Sequence, residues 1–382
     1  MAGTILSVDI GTSSLKAAFI DLDGKLLSFS RETYQQNADG KHSAAAWELA
    51  FIRALEKLFF QTPQCGIDGI CVSGNGPTLV PVTAGGENLP PLYWHDGRRL
   101  LPEAKDPAAQ SAGQCGAQAA AKTPRSFFLP HAAWLKENAR AEYEKTAVFL
   151  SPHEWLSHRL GAETFAVLPS ASYEPYFWDD EQCRLFDLDR KKFPPFVKMG
   201  SVMGKVSGKA ASFLGAAAGN SLKSGTPIIA GGTDFITALI GTGTLHPGEV
   251  CNRAGSSEGI NVCAAPGSTS SASPPPVEAG GLRVLPHARE GLWNIGKVIP
   301  ASGRLFEWYR SFTGQEALPY ETLLAELIPD PLNPEIFRKL DFSLIPRSPF
   351  PVPQSLFPSP QSPPGIGPLG VMRHCLRGKG RG

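Results

Sequence analysis

Asp9 stands near the end of an apolar run, residues 5–10, just ahead of the polar turn Gly11-Thr12-Ser13-Ser14 and a second apolar run, residues 15–20. The pattern predicts a β-hairpin in which Gly11 supplies backbone freedom and the hydroxyl residues supply donors. A carboxylate late in a buried strand is costly unless a cation or hydrogen bonds satisfy it. Beside hydroxyls and turn N–H groups it fits a phosphate and Mg²⁺ site. An ordinary hairpin whose Asp caps its own turn fits the same residues. Later the chain runs from Ile228-Ile229-Ala230 into Gly231-Gly232-Thr233-Asp234 and the apolar residues 235–240, which reads as strand, Gly-rich turn, carboxylate and helix. Asp is also a common helix N-cap, and Asp234 fits that role. Two apolar runs, residues 250–254 and 260–264, flank Gly255-Ser256-Ser257-Glu258-Gly259 and repeat the architecture of the opening hairpin. By itself this turn reads as a plain hairpin.

The elements that must position these groups follow from periodicity. Asp23-Gly24 turns into a third strand at residues 25–30. Ser43 caps a helix with Trp47, Phe51, Leu55 and Leu58 at helical spacing. Residues 69–73 form a strand ending in Ser73-Gly74-Asn75-Gly76-Pro77. Residues 79–82 continue as strand, and another strand runs toward Tyr93-Trp94-His95-Asp96-Gly97-Arg98. Ser151-Pro152-His153-Glu154 combines an N-cap serine, proline at N1 and glutamate at N3, and starts a helix through Arg159. Residues 101–123 fit a weak helix or a loop, 177–195 look irregular, 206–222 look helical, 265–276 form a Ser/Pro/Gly loop, 292–299 a strand, and Ser302 caps a last helix. The fold class is α/β, sheets with helices on a covered face.

With 382 residues, 42% hydrophobic and 19% charged, the chain is long enough for two domains with their own cores. A net charge of +1 argues against nucleic acid or an anionic membrane as the main partner. The seven cysteines show no C-x-x-C spacing and their number is odd, which predicts free thiols in a reducing cytoplasm. No signal peptide and no membrane span is expected.

Asp9-Ile10-Gly11-Thr12-Ser13-Ser14-Leu15-Lys16, then Trp94-His95-Asp96-Gly97-Arg98, Gly231-Gly232-Thr233-Asp234 and Gly255-Ser256-Ser257 occur in this order. The set resembles the FGGY carbohydrate kinases, over residues 5–309. The resemblance implies an actin-like, ribonuclease-H-like ATPase fold of two domains with ATP and a sugar in the cleft between them, and transfer of the γ-phosphoryl group to a sugar or polyol hydroxyl, a pentulose such as xylulose first. It makes Asp234 the catalytic base and Asp9 the Mg²⁺ residue. Gly11, Thr12, Ser13, Gly255, Ser256 and Ser257 become the phosphate turns, and Asn75, Trp94 and Asp96, with Asp234, the sugar contacts. Arg98 is expected to pair with a local carboxylate, and Trp94 is equally a core candidate. Residues 1–244 would be the first domain and 245–341 part of the second; a homodimer is compatible with this. Asn75-Gly76-Pro77-Thr78 departs from the Gln-Met-His-Gly of xylulokinases, which removes their ketose-contacting Met-His pair.

Residues 342–382 contain no Asp or Glu, five Lys or Arg, and nine prolines between Pro346 and Pro368, a composition that cannot build a core. The family's adenosine-binding segment has no counterpart there, so weak or no ATP affinity is expected. The loss of every acidic residue favours a shifted reading frame over a truncation or a degenerate gene copy; one unbroken frame of normal composition on resequencing would reject it. Two further functions fit the residues: a non-catalytic sugar-binding remnant, and an actin-like ATPase. A shared cavity for Asp9 and Asp234 is the expectation on which the kinase reading depends.

Overall fold

Alternation sets the first strand. In β1 (Thr4–Ile10), Leu6, Val8 and Ile10 are buried while Ile5, Ser7 and Asp9 on the other face are half-buried. β2 (Ser14–Asp21) pairs antiparallel with it, putting Val8 opposite Ala17, Asp9 opposite Lys16 and Ile10 opposite Leu15. β3 (Leu26–Thr33) completes the antiparallel set. In this computed structural model the described residues are 3–34, 42–101, 125–215, 217, 222–254, 258–266, 282–299, 302–319 and 322–323.

α1 (Ala44–Gln61) begins where Ser43 Oγ accepts from the Ala46 N–H at 3.2 Å, and buries Trp47, Phe51, Leu55 and Leu58, as the spacing predicts. At its far end the Gln61 amide occupies the backbone N–H and C=O of Phe29 on edge strand β3. This closes part of an edge open to pairing with another chain. The chain returns as β4 (Gly69–Gly74), parallel to β1. Further on, β9 (Val202–Lys205) and β10 (Pro227–Thr233) complete a six-stranded sheet of order β3-β2-β1-β4-β10-β9, with β10 parallel to β4.

Between β4 and β9 lies a long insertion with its own aromatic core. β5 (Val80–Thr83) pairs with β6 (Thr146–Leu150), and β7 (Ala166–Leu168) with β8 (Phe196–Lys198). The helices α2 (Leu129–Asn138), α3 (Arg140–Lys145) and α4 (Pro152–Leu160) accompany them. The reach to Arg98 is a turn rather than a strand, held by the isolated bridges Leu79–Leu92 and Val82–Asn88. The stretch 177–195 is more ordered than its composition predicts: it holds α5 (Asp180–Leu185) and a 3₁₀ turn at Arg190–Lys192. Its Phe177, Trp178 and Phe193 are buried against Phe128, Phe149 and Phe196. Aromatic burial, not periodicity, orders this segment.

α6 is shorter than expected, Gly208–Leu214 with Ser207 as its cap. α7 (Asp234–Gly241) follows β10, and its N-cap is Thr233, not Asp234, which stands in the first turn. β11 (Val250–Ala254) and β12 (Glu258–Ala264) match the predicted pair, and β13 (Arg283–Pro286) and β14 (Trp293–Ile299) form an antiparallel hairpin. The last described helix, α8 (Ser302–Phe312), starts at Ser302, whose hydroxyl donates to Glu258 at 3.0 Å instead of capping. Residues 102–124, most of the 265–276 loop, the turn 255–257 and the Pro-rich 342–382 lie outside the described residues.

By its contacts the chain divides into two units, residues 1–251 with 261–296, and 252–260 with 297–382. The first holds the six-stranded sheet and both aromatic and aliphatic cores. In the second, Asn252 Nδ2 and Ser302 Oγ both donate to Glu258, and Trp308 stacks on Phe312. Cys65, Cys71, Cys183, Cys251 and Cys263 are free thiols, and no described helix is long and apolar enough to cross a membrane.

Candidate active site

Three parallel strands end in one row. Ile10 of β1 and Thr233 of β10 are both in register with Gly74 of β4, between them. Asp9 is one residue before that row and Asp234 one after it, so both belong to the carboxyl edge of the same sheet, where α/β folds bind ligands. Both lie in the first unit, not one in each half.

The first turn is closed by its own backbone: Gly11 N–H donates to Ser14 O at 3.1 Å, so this N–H is spent on the turn. A Cβ on Gly11 would meet Lys16 Nζ at 2.7 Å and Ser14 O at 2.9 Å, which explains glycine here. Thr12 is half-buried and Ser13 exposed. Asp9 Oδ2 pairs with Lys16 Nζ at 3.1 Å, and its Oδ1 accepts from Ser73 Oγ at 3.2 Å. Register explains the pair, since Asp9 and Lys16 are cross-strand partners. Both side chains are about one-third exposed, and such a pair is worth at most about 1 kcal/mol.

Asn75 is fully buried. Its backbone N–H and its Nδ2 both donate to Ile10 O, at 2.8 and 2.9 Å, and its Oδ1 accepts from Thr78 Oγ1 at 2.7 Å. The same Thr78 oxygen accepts from the Trp94 N–H, and Trp94 Nε1 donates to Thr12 Oγ1 at 3.3 Å. These bonds fasten the first turn to segments more than sixty residues away. Asn75, expected to reach a sugar hydroxyl, is part of this framework, its amide engaged by protein groups. Thr78 was missed, because a lone threonine between apolar strands carries no local signal.

Asp96 is similarly occupied. Its Oδ2 accepts from Arg98 Nε at 2.9 Å and from the Tyr93 N–H, and its Oδ1 from the Arg98 N–H. Arg98 thus pairs locally, with the very carboxylate expected to face sugar. Burial alone would raise the Asp96 pKa, but the Arg98 hydrogen bonds and charge outweigh it and hold it below 3.8. Arg98 also stacks over Trp134 and offers its carbonyl to His131 Nδ1. Trp94 is half-buried, neither core nor freely exposed.

At Gly231 glycine has a steric cause in the neighbouring backbone, whereas at Gly232 only the flexible end of Met199 is near. A Cβ on Gly231 would sit 1.9 Å from Val72 O, and one on Gly232 2.2 Å from Met199 Cε. The β10–β4 register shifts between Ala230 and Gly232, a bulge that re-aims the strand end carrying Thr233 and Asp234. Gly255, Ser256 and Ser257 lie outside the described residues.

A Mg²⁺ ion held through one carboxylate, waters and phosphates needs no dense ligand cage. Among the described residues no cluster of three or more His, Cys, Asp or Glu could hold a metal, and a part-exposed Asp9 beside hydroxyls fits the single-carboxylate mode.

The model of the FGGY family of carbohydrate kinases, N-terminal domain, matches residues 4–241. The xylulose kinase of Lactococcus lactis is 24% identical over 339 residues, 85% of this chain and 64% of that protein. The xylulose kinase of Bacillus subtilis is 24% identical over 266 residues, 66% of this chain and 52% of that one. The chain therefore spans only about half to two-thirds of these relatives. The crystal structure of xylulose kinase from Rhodospirillum rubrum superposes with a TM-score of 0.62 at 20% identity, covering 85% of this chain and 67% of that one. The fold is the actin-like ATPase fold shared by these kinases. The β3-β2-β1-β4-β10 sheet, its hairpin turn and the match through residue 241 together establish that the chain belongs to the FGGY family of carbohydrate kinases.

Proposed function

We propose that the chain carries the acceptor side of an ATP-dependent kinase that phosphorylates a sugar or polyol hydroxyl, a pentulose such as xylulose first, in keeping with the xylulose kinases it resembles. The observation that carries the reading is the placement of the Asp9 turn and Asp234 at one carboxyl edge of three adjacent parallel strands.

The Asp234 carboxylate, at the first turn of α7, orients the acceptor hydroxyl and takes its proton as the oxygen attacks the γ-phosphorus of ATP and ADP leaves. Thr12 and Ser13 of the first turn lie against the phosphates, with Lys16 supplying a cation beside Gly11. The family resemblance adds Gly255, Ser256 and Ser257 as further phosphate contacts, residues that lie outside the described ones. Asp9 would hold Mg²⁺ through water, and the ion supplies charge neutralisation for the phosphates. Trp94 offers an aromatic face to the C–H side of the acceptor.

The test is phosphate transfer from ATP to a panel of pentuloses, polyols and hexonates, with Asp234→Asn alongside. At ATP concentrations high enough to offset the weak affinity expected of this chain, transfer is expected with at least one acceptor and falls by about 100-fold or more in the variant, with acceptor binding retained. Unchanged turnover rejects Asp234 as base. Thermal stabilisation by a sugar without any turnover makes the chain a binding protein, and sugar-independent ATP hydrolysis makes it an actin-like ATPase.

A further inference from the structure

Trp94 joins the first turn at two points. Its indole Nε1–H donates to Thr12 Oγ1 at 3.3 Å. Its backbone N–H donates to Thr78 Oγ1 at 3.2 Å, Thr78 Oγ1 donates to Asn75 Oδ1, and Asn75 Nδ2 donates to Ile10 O. Thr78 and Asn75 are fully buried, and Ile10 is two residues before Thr12. The hydrogen bonds therefore close a circuit that starts and ends on the turn, and a fully satisfied polar network of this kind is rigid. The Trp94 ring also meets the His95 ring edge to face, with centroids 5.1 Å apart.

The circuit fixes a proton. An indole N–H can only donate, so Thr12 Oγ1 is the acceptor and keeps its own proton for another partner. The turn carbonyls are already engaged, Ser14 O by the Gly11 N–H and Ser13 O by the Tyr34 N–H. The Thr12 hydroxyl has no acceptor among the described residues, and Thr12 is half-buried in the turn that follows Asp9. A hydroxyl that accepts on one side directs its proton away from that donor. We propose that Trp94 is a positioning residue for phosphoryl transfer: its indole N–H turns the Thr12 hydroxyl so that it donates to a phosphoryl oxygen of the nucleotide. The proposal rests on the reading of the Asp9 turn as a phosphate turn. It gives the indole a polar task at one edge besides the aromatic face it offers the acceptor. No bond forms or breaks at either residue; the N–H supplies a donor already oriented where negative charge gathers.

The experiment uses the full chain with Mg²⁺-ATP as the phosphate probe, its affinity followed by phosphorus nuclear magnetic resonance and that of the acceptor by calorimetry. Trp94→Phe keeps an aromatic face and removes the N–H; Thr12→Val removes the hydroxyl, and Thr12→Ser keeps it. Mg²⁺-ATP affinity is expected to fall about three- to tenfold in Trp94→Phe and about tenfold in Thr12→Val, the worth of a hydrogen bond to a charged group. It stays near wild type in Thr12→Ser. Acceptor affinity in Trp94→Phe stays near wild type, because the ring face remains. Thr12→Val combined with Trp94→Phe is expected to match Thr12→Val alone, since the N–H then has nothing to orient. Unchanged Mg²⁺-ATP affinity in folded Trp94→Phe overturns the proposal, and so does additivity of the two substitutions. Loss of acceptor and nucleotide affinity together, with a lower melting temperature, makes the bond a plain tether and overturns it too. If Trp94→Phe does not fold, the Thr12 variants decide: a loss in Thr12→Val that Thr12→Ser does not share upholds the proposal, and equal affinities overturn it. A wild-type chain that binds no Mg²⁺-ATP at millimolar concentration rejects the phosphate-turn reading and this inference with it. Binding by the wild type that every variant matches rejects this inference alone.

Discussion

Asp9 on β1 and Asp234 just past the end of β10 stand at one edge of one sheet, their strands separated only by β4. That spacing corresponds to roughly 10 Å between their strands. The arrangement is a product of register: Ile10, Gly74 and Thr233 align, and the bulge at Gly231 delivers Asp234 to the start of α7 at that edge. Two carboxylates so placed can serve different partners, one the phosphate-bound cation and the other the attacking hydroxyl.

The roles proposed for them are separable by metal dependence. Asp9→Asn is expected to raise the Mg²⁺ concentration needed for half-maximal transfer, whereas Asp234→Asn lowers the maximal rate at every Mg²⁺ concentration. Metal titrations of both variants check this, and identical shifts in the two would contradict the division of labour. Each substitution leaves the melting temperature nearly unchanged, because Asp9 is paired only at a part-exposed site and Asp234 is partly exposed.

Gly231→Ala forces a Cβ to within 1.9 Å of a backbone carbonyl in the adjacent strand. Backbone cannot rotate away as a side chain does, so β10 must shift from β4. A loss of about 3 kcal/mol or more is expected, at the upper end of overpacking costs. Thermal or urea melts measure it; a variant as stable as the wild type would show that the strand pairing yields freely.

Asn75→Ala removes a buried side chain that donates to the Ile10 carbonyl and accepts from Thr78. The expected cost is about 1–3 kcal/mol, from groups left without partners. Because Thr78 also receives the Trp94 N–H, the indole environment should change with it. Near-ultraviolet circular dichroism and denaturant melts report both; no change in either would refute the framework role.

Glu154 and His153 are fully buried neighbours at the start of α4, with His153 Nε2 3.6 Å from Glu154 Oε1. Burial raises Glu154 from 4.5 to about 7, against the N–H groups of Ser151 and Val167 that bond its carboxylate. Burial lowers His153 from 6.5 to about 3. Folded Glu154 holds its proton more tightly than unfolded, so its contribution is full below about pH 4.5 and is lost as pH rises through about 7. Folded His153 holds its proton more weakly, so its contribution is full above about pH 6.5 and is lost as pH falls through about 3. Between pH 4.5 and 6.5 the two slopes oppose each other. His153→Phe removes one of them, and stability should then fall by about 3 kcal/mol from pH 4.5 to 7, a slope the wild type largely hides. Denaturant melts across this range test it; parallel profiles for the two proteins would contradict it.

Much of the frame was legible from residue order because the signals were local. The opening hairpin, the Ser43-capped helix and the start of α4, where the Ser151 N–H meets Glu154, depend on neighbours within a few positions. The segment 177–195 was not legible, since its order comes from rings contributed by distant strands and helices.

The sequence by itself determined that a hairpin with Asp9 would open the chain and that a strand, a glycine pair and Asp234 would lead into a helix. Tertiary structure alone decided what those groups touch. Asn75 turned inward to the Ile10 carbonyl, Asp96 closed on Arg98, Thr78 and Trp94 tied the first turn, and Gly231 proved to be a matter of the Val72 carbonyl. The physical reason is the range of the forces involved. Helix and strand periods and caps are written within a few residues, whereas hydrogen-bond partners and steric limits at a sheet edge are set by chains that meet only after folding.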